Sequence, residues 1–170
     1  MKGAIFVDGA NVSHVAIELG TFGHPLRFDV VKFEQAIRNR APGPPDFDFK
    51  NYYLNYRDDV DRSKLEAFVH ILFKAGWKSV LNPCKEYRDG HYKDKRTDVT
   101  MVLDAMELIL GDKIQLFCLM THDADFVPFL ERIPPRITTY VIGWKARMAR
   151  ELIAAAKPIY MEEFWEEVRR

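Results

Sequence analysis

Five consecutive apolar residues, Leu116-Phe-Cys-Leu-Met120, stop abruptly at Thr121-His-Asp-Ala-Asp125. A strand with one face in water alternates apolar and polar side chains, whereas a strand covered on both faces loses that alternation. The run therefore predicts a sheet buried between helices. The order of the remaining segments agrees. Ala4 to Val7 is a short strand, Asn11 to Leu19 a helix, and Asp29 to Arg40 an amphipathic helix with Asp29 as N-cap and Val30, Phe33 and Ile37 on one face. Phe47 to Leu54 is aromatic and strand-like, and Asp61 to Ala75 a helix presenting Leu65, Phe68, Val69, Leu72 and Phe73, ended by Gly76. Trp77 to Leu81 is a third strand, Lys85 to Arg96 a charged loop, Thr97 to Leu110 a helix, and Ile114 to Met120 the fourth strand. Asp125 to Arg132 is a helix, Ile137 to Ile142 the fifth strand, and Ala146 to Ala156 and Glu162 to Val168 the closing helices, with a small strand at Pro158 to Tyr160.

Strands alternating with helices make βαβ units, a parallel sheet and right-handed crossovers. The expected architecture is a three-layer α/β/α sandwich with a mainly parallel sheet in the order 3-2-1-4-5. At 170 residues, 48% hydrophobic and 13% aromatic, the chain fits one domain spanning 1–170. The only Pro/Gly cluster, Ala41 to Asp46, is too short for a linker. Lys+Arg and Asp+Glu both total 25, so any polyanion must be met by a local patch. Two cysteines, Cys84 and Cys118, are too few for a secreted disulfide framework. No run approaches the ~18 apolar residues of a membrane span, and the N-terminal apolar stretch is too short for a signal peptide. The expectation is a cytoplasmic protein with no membrane partner.

In open parallel sheets ligands bind beyond the C-terminal strand ends, where the strand order reverses. Asp8 follows the first strand, and Asp123 and Asp125 follow the fourth. In a 3-2-1-4-5 order those strands are neighbours, so the carboxylates converge. Asp98 lies in the first turn of the preceding helix, and Asp104 sits further along it among Met101, Val102, Leu103, Ala105 and Met106. Six residues separate them, roughly 120° of rotation, so both reach one site only at the helix edge. Gathered carboxylates repel, and one takes up a proton unless a cation balances them. Mg²⁺ or Mn²⁺ suits such an oxygen donor set, and no Cys/His spacing suits zinc. The residues point to one or two hard cations activating water against a phosphodiester. Asp8, Asp98, Asp123 and Asp125 each also have an ordinary use as a helix N-cap or turn residue, Asp104 one facing solvent or pairing with a lysine, and Asn11 one as a cap for the first helix.

With FVDGANV, then Lys95-x-x-Asp98-Val-x-x-x-x-Asp104, then THDADF in that order, the sequence resembles the NYN family, the LabA-like branch of the PIN-like nucleases. The likeness runs from the first strand to the final helices. It implies a Rossmann-like PIN fold and metal-dependent RNA cleavage. Asp8, Asp98 and Asp123 would be the leading metal-site carboxylates, and Asp125 a further ligand or support. Asp104 is a less central candidate, and Asn11 would position water or phosphate. Arg96-Thr97 stands where the family has Gly-Val, Thr121-His122 where it has Ser-Gly, and Lys157 where an acidic residue is common.

The loop from Lys85 to Arg96 interleaves Tyr87 and Tyr92 with five Lys/Arg. Cations there would neutralise phosphates and tyrosines would stack unpaired bases at about 1–3 kcal/mol each. Tyr92, Lys93, Lys95 and Arg96, with Thr121 and, after the fifth strand, Lys145 and Arg147, form the expected substrate-contact set for single-stranded RNA. A homodimer is compatible with the sequence. The competing reading is a module that binds RNA or a protein on the same fold without cutting it, motivated by the Thr-His loop and Lys157. A haloacid-dehalogenase-type phosphatase wants Asp-x-Asp after the first strand and finds Ala10. A Rossmann oxidoreductase lacks G-x-G-x-x-G.

Overall fold

The computed structural model describes residues 1–18, 28–57, 62–86, 92–93 and 96–169. Apolar runs form the strands β1 (Lys2–Asp8), β2 (Asp46–Tyr56), β3 (Lys78–Pro83), β6 (Leu116–Met120), β7 (Thr138–Gly143) and β8 (Lys157–Tyr160). A two-stranded antiparallel ladder, β4 (Lys85–Glu86) with β5 (Tyr92–Lys93), stands apart in the segment expected to be loop. The main sheet is six-stranded and all parallel, in the order β3-β2-β1-β6-β7-β8. Its first five strands follow the expected order. The small strand foreseen at Pro158 to Tyr160 is β8, which pairs with β7 and completes the sheet.

The helices are α1 (Gly9–Glu18), α2 (Val30–Arg40), α3 (Ser63–Lys74), α4 (Thr97–Leu110), α5 (Val127–Leu130), α6 (Arg150–Ala155) and α7 (Trp165–Val168). Successive strand residues face opposite sides, and β1 shows the consequence. Ile5 and Val7 join a core with Val12 of α1, Phe33 and Ile37 of α2, Leu72 of α3 and Val168 of α7. Ala4 and Phe6 join the opposite core with Met101 and Ile109 of α4, Phe129 of α5 and Leu152 of α6. Every residue of Leu116 to Met120 is buried, as the unbroken apolar run requires. No described helix is long and apolar enough to cross a membrane.

Three local expectations are revised. The helix expected from Ala146 begins only at Arg150, because Ala149 is extended (φ −62°, ψ 144°) and residues 145–147 form a turn closed by Trp144. The helix expected over Asp125 to Arg132 is a 3₁₀ turn at Ala124–Phe126 followed by the single turn α5, stopping short of Pro134 and Pro135. On α3 the apolar stripe divides. Phe68 and Leu72 are buried, but Phe73 is 75% exposed, because α3 covers edge strand β3 and no further strand extends the sheet beneath its outer flank. Leu65, Val69, Phe73 and Leu81 line an open hollow of about 560 Å³ there.

Asp29 caps α2 as its sequence suggests, accepting hydrogen bonds from the backbone N–H groups of Val31 and Lys32 at 2.9 and 3.2 Å. Gly9, the first residue of α1, has a different reason for its identity. A Cβ at this position would lie 2.5 Å from both the Tyr52 ring and the Tyr53 carbonyl oxygen. The strand-to-helix turn can therefore press against β2 only without a side chain. Gly9→Ala is expected to destabilise the protein by about 1–3 kcal/mol, the usual cost of overpacking, and urea titration measures it; an unchanged midpoint would contradict the close approach.

Candidate functional site

Strand order reverses between β1 and β6, the place where a doubly wound sheet opens a crevice. Val7 pairs with Met120, so Asp8 and Thr121, the next residue on each chain, stand side by side at its mouth. The Thr121 hydroxyl donates to one Asp8 carboxylate oxygen at 3.0 Å, and the Asn11 backbone N–H donates to the other at 3.2 Å. Asp8 is 4% exposed. Burial pushes its pKa up from 3.8 to about 6, against the two hydrogen bonds, and the negative charges of Asp98 and Asp123 push it the same way. The fold thus brings Asp98 and Asp123 near enough for their charges to act on Asp8.

Asp123 is positioned by its own loop. Its carboxylate accepts from the Asp125 backbone N–H at 2.9 Å, capping the 3₁₀ turn, while its backbone N–H donates to the Thr121 hydroxyl at 3.2 Å. Thr121 is wholly buried and bridges Asp8 to Asp123. Asp125 is exposed and shares with Asp98 the rim of a hollow of about 260 Å³ floored by Val102, Leu103 and Phe126. Asp104, further along α4, has a partner of its own. Its carboxylate accepts from the Tyr53 hydroxyl at 2.8 Å, and that hydroxyl also accepts from the Asn51 amide at 3.0 Å. Loss of the proton from Tyr53 is strongly opposed by burial and by Asp104, so the hydroxyl remains a donor.

Asp98 depends on a contact network that the sequence did not reveal. Thr97, the first residue of α4, is buried and donates to Asn55 of β2 at 2.7 Å while accepting from Asn82 of β3 at 2.9 Å. Two strand ends thereby pin the start of α4, and Asp98 is the next residue. The only sequence signal was the polar residue type itself, Asn55 and Asn82 near the ends of otherwise apolar strands.

Among the expected cationic contacts, Arg147 pairs with Glu18 at the end of α1 at 3.0 Å, and Lys145 lies with its ammonium 5.5 Å from the centroid of the Tyr160 ring. Arg96 is exposed immediately before α4. Lys95 and the side chains of Tyr92 and Lys93 lie outside the described residues.

Asp8, Asp98 and Asp123 are hard oxygen donors whose mutual repulsion a divalent cation would relieve. Among the described residues, no three His, Cys, Asp or Glu side chains close around a single point.

An all-parallel doubly wound sheet with carboxylates from two strand ends and an adjoining helix at its point of reversal belongs to the Rossmann-like class, with its polar site at the sheet's mouth. Within that class, the chain belongs to the NYN domain family, a PIN-like nuclease family, whose model matches residues 2–162. Similarity extends to the crystal structure of a protein of unknown function from Vibrio parahaemolyticus, with a TM-score of 0.74 and 26% identity over 94% of this chain and 91% of that one. No curated protein matches the sequence.

Proposed function

We propose that this protein is a Mg²⁺- or Mn²⁺-dependent ribonuclease hydrolysing phosphodiester bonds of single-stranded RNA at the crevice between β1 and β6. The observation that carries the reading is Asp8, a nearly buried carboxylate whose charge is opposed by burial and by Asp98 and Asp123. An arrangement so unfavourable to itself is accounted for when a cation belongs there.

Asp8, Asp98 and Asp123 would hold the ion, directly or through water, with Asp125 supporting the rim. When bound, the cation offsets the phosphodiester charge and lowers the pKa of an attacking water. The chain's own residues supply the positioning. Thr121 and the Asn11 backbone N–H orient the two oxygens of Asp8, and the Thr97 network sets Asp98 at the start of α4. Arg96 and the cationic segment before it would meet the phosphates on either side, giving a salt-dependent grip.

The test is incubation of the purified protein with end-labelled single-stranded RNA. Cleavage is expected with Mg²⁺ or Mn²⁺ and is expected to cease with EDTA. RNA that is retained but never shortened, with either metal, would instead support a binding module without catalysis. Cleavage that continues undiminished in EDTA would overturn the metal-dependent reading.

A further inference from the structure

His122 lies in the loop between Thr121 and Asp123, and the structure gives both ring nitrogens a defined partner. The Trp144 backbone N–H donates to Nε2 at 2.9 Å. A backbone N–H can only donate, so Nε2 carries the lone pair and Nδ1 carries the proton of a neutral ring. Nδ1 lies 2.9 Å from the Asn11 side-chain oxygen, and the His122 backbone nitrogen lies 2.9 Å from that same oxygen. The second contact settles which end of the Asn11 amide faces His122, again because a backbone N–H only donates.

Both lone pairs of the Asn11 oxygen are thereby occupied. Its remaining polar group is the side-chain NH₂, which makes no hydrogen bond among the described residues and belongs to a half-exposed side chain whose own backbone N–H reaches Asp8. His122 itself has no freedom to turn away. Its ring stacks on Trp144 with centroids 5.7 Å apart and 23° between planes. Gly143 lies so close that a Cβ there would be 2.7 Å from Nε2.

We infer that His122 is a positioning residue that holds the Asn11 amide with its NH₂ donors toward the crevice, where they bind a non-bridging oxygen of the substrate phosphodiester. The ligand's identity as RNA rests on the function proposed above; the orientation of the amide does not. Asn11 therefore acts as a hydrogen-bond donor to phosphate, and its oxygen is not a metal ligand. Holding the amide in one orientation before the substrate arrives removes a rotamer cost from binding.

Paired substitutions separate this role from simple support of the Trp144 turn. An asparagine amide reaches about as far as Nδ1, and a glutamine amide about as far as Nε2. His122→Asn retains a donor for Asn11 and abandons Trp144; His122→Gln does the reverse. The first readout is the Asn11 side-chain amide signal in ¹H–¹⁵N NMR, followed while the dinucleotide UpU is added in EDTA. The signal is expected to move in the wild type and in His122→Asn, and to move several-fold less at the same UpU concentration in His122→Gln, where only the backbone N–H of residue 122 still holds the Asn11 oxygen. The second is RNA cleavage with Mg²⁺, where His122→Gln is expected to lower kcat about 10-fold or more, as loss of a supporting hydrogen bond does, and His122→Asn to keep most of it.

Equal behaviour of the two variants in both readouts, or the reverse ranking, overturns the inference. Should His122→Gln fail to fold, the wild-type signal decides alone: no movement on adding UpU overturns it, and movement sustains it. A protein whose amide signal responds to UpU but that never cuts RNA keeps this inference and loses the nuclease.

Discussion

Asp8→Asn and Asp123→Asn will each lower Mg²⁺-dependent RNA cleavage by about 10²–10⁴-fold, while Asp48→Asn leaves it unchanged. The size follows from the several kcal/mol that a bound cation contributes to stabilising a charged transition state, since each 1.36 kcal/mol is tenfold in rate. Both amides preserve side-chain shape, so the loss isolates charge. Asp48 serves as the control because it sits near the start of β2, half-exposed and 4.0 Å from the Lys2 ammonium, at the opposite end of the sheet from the crevice. Single-turnover rates at saturating RNA measure the effect. An Asp8→Asn protein that cuts at the wild-type rate removes the proposed centre altogether.

The same substitution will stabilise the metal-free fold at neutral pH. Asp8 binds its proton more tightly in the folded protein, about 6 against 3.8, so its favourable contribution is complete below pH 3.8 and disappears as pH rises through 6. Above pH 6 the ionised, buried carboxylate costs at most about 3 kcal/mol, taking 1.36 kcal/mol for each tenfold change in proton affinity. Asp8→Asn removes that cost and leaves a carbonyl oxygen to accept from the Asn11 N–H. Thermal melting in EDTA should show the variant several degrees above the wild type at pH 8, converging near pH 4. Millimolar Mg²⁺ should then raise the wild-type melting temperature and leave the variant's in place, because a ligand stabilises only a fold that binds it. A variant melting below the wild type at pH 8 would show that the Asp8 charge is well solvated, contrary to its burial.

Legibility of the fold varied with how far each element depends on distant partners. The Leu116 to Met120 run declared its own environment, because a strand covered on both faces is apolar throughout, and it pointed to the layers; the neighbouring of β1 and β6 came from the expected doubly wound strand order. Asp29 and α2 were readable because a cap and an amphipathic face are local facts. Phe73 was misjudged because helical periodicity identifies a stripe but not the width of the sheet beneath it, and α3 lies over the edge strand. The late start of α6 was hidden because residues 144–149 are compatible with helix by type, and their turn is closed by backbone bonds to Trp144.

At the site, the carboxylates were visible as motifs, whereas their supports were not. Thr97 finds partners 15 and 42 residues away in Asn82 and Asn55, and no local pattern announces such a network. Nothing local announces the role of His122, because its acceptor nitrogen is met by a backbone N–H 22 residues further on. Asp104 stood out as a carboxylate in an apolar helix, and its partner, the Tyr53 hydroxyl, is 51 residues upstream.

β1 lies inside the sheet, with β2 hydrogen-bonded along one side and β6 along the other. Fraying of this strand must break two ladders at once, so its amides belong among the last to exchange with solvent, opening only when most of the molecule opens. Asp8 is the final residue of that strand. The acid least comfortable in its surroundings is therefore anchored to the segment least able to escape them, and it cannot shed its strain by local unfolding.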